Sequence, residues 1–216
     1  MLHRSCDAAP SEDIVPLNRH LKLVHPRFNF RPEPPALAGA VEGLYDEVFG
    51  PARFRKASCR FREGVDPIPE LSWIALERDY SGSAHLVGAI RYWPILVGNA
   101  DHPALLLGPL AVAPDRTNRG IGRALMFRTL DLAAQLGHDL VLLVGDVDYY
   151  KRFGFVPATP HGFVMPGESR PDRLQVAPLK DNVLGRIAGE VRHIHSGLPA
   201  IAVKAAKRPL RRARAR

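Results

Sequence analysis

The chain has 216 residues, of which 46% are hydrophobic and 24% charged, with a formal net charge of +8. This composition predicts one globular domain with terminal extensions. The longest mostly apolar window, residues 103–114, contains glycine and proline and is shorter than the ~18 residues that a membrane span needs, so no membrane span is predicted. The two cysteines, Cys6 and Cys59, lie far apart, which argues against a disulfide framework and favours a cytoplasmic protein.

The first elements are predicted to be a leader, an edge strand and two helices. Residues 1–25 have no hydrophobic period and no apolar stretch for a signal peptide, so we expect an extended leader. Residues 26–32 are predicted to form an edge strand. Residues 36–49 have apolar positions at the spacing of an amphipathic helix, and Pro51 is predicted to begin a second helix that ends near residue 62.

The middle of the chain alternates strands with a long helix. Residues 71–76 and 85–93 are two apolar segments around a Ser-Gly-Ser turn, which predicts a hairpin. A further strand is predicted at residues 105–113, followed by a helix with apolar positions from Ile121 to Leu136 and a C-terminal Gly137. The remaining predicted elements are a buried strand at 139–145, a helical turn at 147–152 and closing strands at 172–179 and 187–193. This order predicts a mixed sheet with helices on its faces.

A glycine-rich turn precedes the long helix. The run Arg119-Gly120-Ile121-Gly122-Arg123 offers unpaired backbone N–H groups, the positive end of a helix dipole and two arginines, which together predict a phosphate-binding turn. No Gly-Lys-Ser/Thr follows, which excludes a P-loop for nucleoside triphosphates. A third glycine and a ribose-binding acid are also missing, which excludes the dinucleotide fingerprint.

These residues resemble motif A of the GNAT superfamily of N-acetyltransferases. The family pattern Gln/Arg-x-x-Gly-x-Gly/Ala reads Thr117-Asn118-Arg119-Gly120-Ile121-Gly122 here, so Thr117 departs from the usual Gln or Arg, and Arg116 precedes it. Residues 108–112, Gly-Pro-Leu-Ala-Val, resemble the splayed fourth strand of the family. Residues 149–155, Tyr-Tyr-Lys-Arg-Phe-Gly-Phe, resemble its motif B.

The resemblance implies an α/β (α+β) fold. The GNAT-like sheet is mixed and mostly antiparallel, with a V-shaped splay between strands 4 and 5 and helices on both faces. The implied acetyltransferase domain covers residues 26–192, between the leader at 1–25 and a basic, flexible tail at 193–216. A homodimer is consistent with the family.

The resemblance also implies an acetyl-CoA-dependent N-acetyltransferase that transfers the acetyl group directly to an amine of a small molecule, peptide or protein, without a metal. Tyr150 matches the position that protonates the leaving thiolate. Residues expected to bind acetyl-CoA are Leu110, Ala111, Val112, Thr117, Asn118, Arg119, Gly120, Ile121, Gly122 and Arg123. Leu110 N–H is expected to bind the thioester carbonyl after Gly108-Pro109 breaks the strand pairing, while Ala111 and Val112 pair with the pantetheine amides.

The general base is left open by the sequence. Leucines occupy residues 105–107, where family members with a side-chain base often carry it. Glu77, His85, His102 and Asp146 are alternatives, as is a chain of water molecules to solvent. Asp146 is otherwise expected to cap the short helix that follows it.

Other polar and aromatic positions are predicted to be structural. Arg91 and Trp93 share one face of a strand, which favours a salt bridge and core packing, and Tyr149 is expected in the core, pointing away from Tyr150. His193 and His195 share a face but lack further ligands for a metal.

Two other classes of function remain as alternatives. Seven basic residues lie between Lys204 and Arg216, and this tail is expected either to aid solubility or to touch nucleic acid or acidic surfaces. An acetyl-CoA-binding sensor or accessory protein with little catalysis is the other alternative, supported by Thr117 and the missing base.

Overall fold

The computed structural model describes residues 27–196, and the predicted leader and the arginine-rich part of the tail lie outside this range. The helices are α1 (Ala38–Phe49), α2 (Ile121–Gln135) and α3 (Val147–Tyr150). The strands are β1 (Phe28–Pro32), β2 (Trp73–Arg78), β3 (Ala84–Val97), β4 (His102–Val112), β5 (Leu140–Val144), β6 (Val156–Pro157), β7 (Phe163–Val164), β8 (Leu174–Pro178) and β9 (Gly189–His193). Within residues 27–196, no helix combines the length and apolar character that crossing a membrane requires.

The sheet is mixed and mostly antiparallel, as predicted. Its main path runs β1-β2-β3-β4-β5-β8-β6, and the pair β4 and β5 is parallel. The turn between β2 and β3 is the predicted hairpin connection. Both predicted closing strands exist, but they do not pair with each other: β8 pairs with β5, whereas β9 pairs with the end of β3 and with β7.

Helices α1 and α2 cover opposite faces of the sheet. On β2, Ile74 packs with α1 and the adjacent Ala75 packs with α2, because successive strand side chains point to opposite faces. Val41 and Tyr45 of α1 are fully buried, as is Leu125 of α2. The apolar spacing that predicted both helices therefore marks the stripes that face the sheet.

The predicted second helix at residues 51–62 is wrong. Two short 3-10 segments occupy this stretch, Pro51–Arg55 and Ala57–Arg62, because Lys56 between them is extended, with φ −68° and ψ 141°. The change of direction at Lys56 brings the second segment across the end of the sheet, against Trp93 and Val97 of β3 and Val191 of β9.

Strand β4 carries a bulge in its middle. Leu107 and Leu110 both pair with β3, but only Arg91 lies opposite Gly108 and Pro109 between them. Two residues facing one is the definition of a β-bulge, which bends the strand locally. The predicted break in pairing at Gly108-Pro109 is therefore present.

Strand β4 separates from β5 just before this bulge. The two strands pair only at Leu105 with Val141 and at Leu106 with Leu142. Leu107 and residues 110–112 then keep their pairing to β3, and this stretch leaves its edge towards β5 open. This confirms the V-shaped splay between the fourth and fifth strands.

A buried charge network connects β1, β3 and α1. Arg91 binds both carboxylate oxygens of Glu33, at 2.7 and 2.5 Å, and one oxygen of Glu42 on α1 at 2.5 Å. The side chains of Arg91 and Glu33 are both only 7% exposed. Glu42 also binds Arg53, so the network reaches from the sheet to the first 3-10 segment. The predicted structural role of Arg91 is confirmed.

Replacing Arg91 by methionine should lower the free energy of unfolding by about 3 kcal/mol, because Glu33 would remain buried without its partner. Urea denaturation measures the change. The double variant Arg91→Met/Glu33→Gln should lose less than Arg91→Met alone, and the exposed Arg31→Met on β1 is the control. Equal losses in Arg91→Met and Arg31→Met would contradict this role.

Candidate active site

The turn before α2 has the geometry of an anion-binding loop. Gly120 is the N-cap residue of α2 with φ +79°, and no side chain caps this end of the helix. Asn118 also has a positive φ, of 60°. The first N–H groups of α2 are therefore left without side-chain partners, at the positive end of the helix dipole.

The predicted residues of this turn differ in exposure. Thr117, Asn118 and Arg119 are exposed, Arg123 is partly exposed, and the side chain of Ile121 is buried in the core. Only the backbone of Ile121 is therefore available to a ligand. A Cβ on Gly122 would lie 2.9 Å from Tyr149 Oη, so this glycine allows the turn to pack against the α3 region.

The side chains of Thr117 and Arg116 are engaged within the protein. Thr117 Oγ1 donates to Pro114 O at 3.2 Å, and Arg116 Nε donates to Glu77 at 2.5 Å. The hydrogen bond from Arg116 lowers the pKa of Glu77, so this carboxylate stays ionised. Arg116 therefore does not replace the Gln or Arg that is missing at position 117.

The three predicted residues of β4 do not face the same way. Ala113 N–H donates to Val87 O on β3. Because N–H groups alternate in direction along an antiparallel strand, Ala111 also faces β3, while Leu110 and Val112 direct their backbone groups to the open edge. Leu110 and Val112 are therefore the two residues of this group with free backbone groups in the splay.

A cavity of about 340 Å³ lies in the splay. Residues 107–110 of β4 form one wall, residues 143–146 at the end of β5 form another, and the two 3-10 segments after α1 close a third side. Tyr150 lines the same cavity. This volume lies within the range of small-molecule sites.

A second cavity of about 310 Å³ shares the bulge with the first. Both are lined by Arg53, Cys59, Arg62 and Pro109, and the second extends towards Tyr45 and Trp93. The two cavities therefore meet at the bulge from different sides.

Local interactions place Tyr150. Asp146 caps α3 by accepting from Tyr149 N–H at 2.8 Å, as predicted. The Tyr150 ring meets the rings of Tyr149 and Phe155 edge-on, with centroids 4.9 and 5.8 Å away. Burial raises the pKa of Tyr150, so its phenol remains protonated through neutral and mildly alkaline pH.

The prediction for Tyr149 is wrong in one respect. Tyr149 is only partly buried and lines the first cavity together with Tyr150, instead of pointing away into the core. The short helix α3 is followed at once by a 3-10 turn, so consecutive side chains splay less than they would along a strand.

Three of the four predicted base candidates lie away from the first cavity. Glu77 binds Arg116, His85 binds Asp79 in the β2–β3 turn at 2.8 Å, and His102 contacts Asp139 at 3.0 Å. Asp146 does line the cavity, but its carboxylate caps α3.

The two histidines of β9 and the turn after it lie side by side. The rings of His193 and His195 are 5.3 Å apart, and His193 contacts Glu63 O. Across residues 27–196, no three His, Cys, Asp or Glu side chains are grouped so that they could hold a metal ion.

Comparison with protein families agrees with this geometry. The model of the acetyltransferase (GNAT) family matches residues 41–155, which is more than half of the chain. The chain belongs to the GNAT acetyltransferase family. The family predicted from the glycine-rich turn, the splayed strand and the tyrosine motif is thereby confirmed.

Relatives of this GNAT protein include the uncharacterised N-acetyltransferase YhbS of Escherichia coli K12, 29% identical over 108 residues. That match covers 50% of the chain and 65% of the relative's length. The crystal structure of Escherichia coli YhbS in complex with CoA is 27% identical, with a TM-score of 0.63, and covers 78% of this chain and 91% of that one. A GNAT acetyltransferase from Brucella melitensis in complex with acetyl-CoA is 24% identical, with a TM-score of 0.57 over 78% of this chain and 97% of that one, and supports the fold.

Several basic residues at the splay carry no signal in the sequence that points to a site. Lys56, Arg62 and Arg173 all line the first cavity. Their positions in irregular 3-10 segments carry no periodic signal. The only available hint was the density of basic residues between 53 and 62, which contains no acid.

Gly145 leaves the space that the Tyr150 ring occupies. A Cβ at this position would lie 2.3 Å from Tyr150 Cε2, so Gly145→Ala should displace the ring and lower the free energy of unfolding by about 1–3 kcal/mol. Urea denaturation and near-ultraviolet circular dichroism of the tyrosines measure these effects. Gly43→Ala is the control, since a Cβ there meets nothing within 4 Å on helix α1. An unchanged tyrosine spectrum in Gly145→Ala would contradict the packing argument.

Proposed function

We propose that this GNAT protein is an acetyl-CoA-dependent N-acetyltransferase that transfers the acetyl group directly to the amine of a small molecule or peptide. The observation that carries the proposal is the cavity in the β4–β5 splay, which is lined by Tyr150. CoA and acetyl-CoA in the complexes of the two structural relatives support the choice of cofactor.

The described residues fit acetyl-CoA at three points. The uncapped end of α2, with Arg119 and Arg123 beside it, suits a pyrophosphate. The open edge of β4 at Leu110 and Val112 suits the pantetheine amides, which would occupy the place of a missing strand. Gly122 joins the two regions, since a Cβ there would lie 3.5 Å from Val112 Cγ2. Acetyl-CoA supplies an activated acetyl thioester when it is bound.

The protein groups at the splay would then bind the thioester carbonyl and protonate the leaving thiolate. Leu110 N–H is positioned to donate to the carbonyl oxygen on which negative charge develops. Formation of the new C–N bond and loss of the C–S bond leave a thiolate, and Tyr150 donates its proton to it. The amine releases one proton in the same reaction, which returns to Tyr150 through water.

The base in this proposal is water that leads to solvent. Leu107 and Leu143 line the first cavity where a side-chain base would have to lie, and Asp146 is engaged as a cap. A water chain requires no residue with a special pKa, but it makes the rate depend on the fraction of free amine.

A second candidate function is an acetyl-CoA-binding protein with little catalysis. The observation that favours it is the side chain of Thr117, which donates to Pro114 O, while Arg116 is bound by Glu77. The turn then binds a pyrophosphate through backbone N–H groups and fewer side chains.

The limits of the domain, the oligomeric state and the role of the tail stay proposals. We place the acetyltransferase domain at residues 26–192, with the leader before it and the basic tail after it. A homodimer, and contact of the tail with nucleic acid or acidic surfaces, stay predictions.

Tyr150→Phe should bind acetyl-CoA with unchanged affinity but transfer the acetyl group about 100-fold more slowly, because the thiolate loses its proton donor. Calorimetry measures binding, and release of free thiol with the best amine of a screen measures transfer. Tyr149→Phe is the matched comparison, because it removes the neighbouring hydroxyl and keeps the edge-on contact between the two rings. Equal rates in wild type and Tyr150→Phe would remove the acid role from Tyr150.

Gly120→Val should abolish acetyl-CoA binding, because a β-branched residue resists φ +79° and the turn would lose its shape. Gly185→Val is the matched control: Gly185 has φ +96° in open space away from the turn. Calorimetric titration with acetyl-CoA, and with ATP and NAD for comparison, measures the effect. If folded wild-type protein binds none of the three, or if Gly120→Val binds acetyl-CoA normally, the proposed cradle is wrong.

A further inference from the structure

Besides Arg53, which Glu42 and Asp46 bind, three basic side chains line the first cavity. Lys56 lies between the two 3-10 segments after α1, Arg62 ends the second of them, and Arg173 comes from the turn before β8. We call these three residues the cation cluster. The lining of the same cavity contains one acid, Asp146, which is engaged as the cap of α3.

No member of the cation cluster has a salt-bridge partner among residues 27–196. Lys56 Nζ lies over the ring of Phe49 at 5.1 Å, and Arg173 Nε donates to Gly145 O at 3.4 Å. Partial burial lowers the pKa of Lys56, and the nearby charges of Arg173 and Arg62 lower it further. By contrast, the buried Arg91 is neutralised by Glu33 and Glu42.

The cation cluster is separate from the phosphate cradle of the proposed cofactor. None of residues 116–123 lines the first cavity, although Gly122 lies against Val112 and Tyr149, which do. The pantetheine arm that would connect the two ends carries no charge. An anion at the cation cluster must therefore belong to another molecule.

Arg62 is the member most deeply placed. Its Nε is buried and makes no hydrogen bond, and its guanidinium lies 4.8 Å from the centre of the Trp93 ring. Its Nη2 is 3.6 Å from where a Cβ on Gly108 would lie, which puts it beside the bulge. Burial lowers the pKa of Arg62, as expected for a cation without a counter-ion.

A second buried donor without a partner lies in the adjoining cavity. The hydroxyl of Tyr45 is buried and makes no hydrogen bond, and Tyr45 lines the second cavity with Arg62. The acids of that cavity are Glu42, which Arg53 and Arg91 already bind, and the exposed Glu63. Buried donors are almost always satisfied in folded proteins, so unpaired donors on both sides of the bulge indicate an oxygen-rich ligand.

We propose that the acetyl acceptor is an amine that also carries a carboxylate, of amino-acid type, and that Arg62 binds this carboxylate. The planar guanidinium matches a carboxylate with two parallel hydrogen bonds. The unpaired hydroxyl of Tyr45 belongs to the lining of the second cavity, which Arg62 also lines, while Lys56 and Arg173 provide an attractive field. This inference rests on the proposed acetyl transfer and specifies its substrate class.

The position of Arg62 beside the bulge has a consequence for the reacting amine. A carboxylate held there places the rest of a small acceptor at Pro109 and Leu110, where the thioester carbonyl is expected. Binding energy from the non-reacting carboxylate then serves to orient the amine.

The test compares each of the twenty amino acids with its carboxamide under saturating acetyl-CoA, by release of free thiol and mass spectrometry of the product. In the pairs that react, kcat/KM should be about 10- to 100-fold higher for the free acid. A carboxamide lowers the pKa of the neighbouring amine and leaves more of it unprotonated. This difference favours reaction of the carboxamide and therefore works against the expected result.

Variants of Arg62 test whether this residue causes the preference for the free acid over the carboxamide. Arg62→Met should bring kcat/KM for the free acid to within about two-fold of kcat/KM for the amide. Arg62→Lys, which keeps the charge without the planar guanidinium, should give an intermediate ratio of the two kcat/KM values. Arg55→Met is the control, because Arg55 is exposed and lines neither cavity, and its ratio should equal that of wild type. Circular dichroism and thermal unfolding verify that each variant is folded.

A binding measurement tests the site without turnover. The chain has two tryptophans, so Trp73→Phe leaves Trp93, under the Arg62 guanidinium, as the reporter. N-acetylglycine should change its fluorescence saturably, N-acetylglycinamide should not, and Arg62→Met should abolish the response.

Three results would overturn the inference: amides that react as well as acids, no acetylation of any amino acid by protein that binds acetyl-CoA, or an equal fluorescence response to both probes. The first two leave the proposed acetyl transfer intact. Failure to bind acetyl-CoA would instead overturn the proposed function, and the fluorescence titration would then decide the anion site alone.

Discussion

The separation of β4 from β5 is the constraint on which the candidate site depends. The two strands share only two residue pairs, and the bulge at Gly108 and Pro109 bends β4 towards β3 immediately afterwards. This departure from regular pairing leaves a free backbone edge on β4 and opens a cavity that Tyr150 lines. A continuous sheet would satisfy more hydrogen bonds but would close the place where a ligand strand can be added.

The distribution of charge separates structural arginines from those available to a ligand. Arg91 and Arg53 are held by Glu33, Glu42 and Asp46, in a network that joins the sheet to the chain after α1. Arg116 is held in the same way by Glu77. Such networks fix the walls of the site, because each buried charge is stabilised only in one arrangement. Among the residues that the structure describes, the cation cluster has no such partners, which makes it available to an anionic group.

The two parts of the candidate site differ in how much regular secondary structure they contain. The cofactor side is made from a regular helix and strand edges, and this is the part that the family model matches. The acceptor side is made largely from 3-10 segments after α1 and the turn before β8. Irregular segments on a rigid scaffold are where proteins of one fold commonly differ in substrate. A regular cofactor side and an irregular opposite side are thus compatible in one chain.

The amino-acid sequence alone determined the family, the order of most elements, the glycine-rich turn and the candidate acid Tyr150, because each is encoded by local signals. Apolar periodicity predicted α1 and α2, and glycine and proline marked the turn and the bulge. Tertiary structure alone decided that Tyr149 shares the cavity with Tyr150 and that residues 51–62 form two 3-10 segments. It also decided that β9 pairs with β3 and that Lys56, Arg62 and Arg173 meet at one cavity. Contacts between residues far apart in the chain leave no periodic trace in a single sequence, since they depend on how separate elements pack.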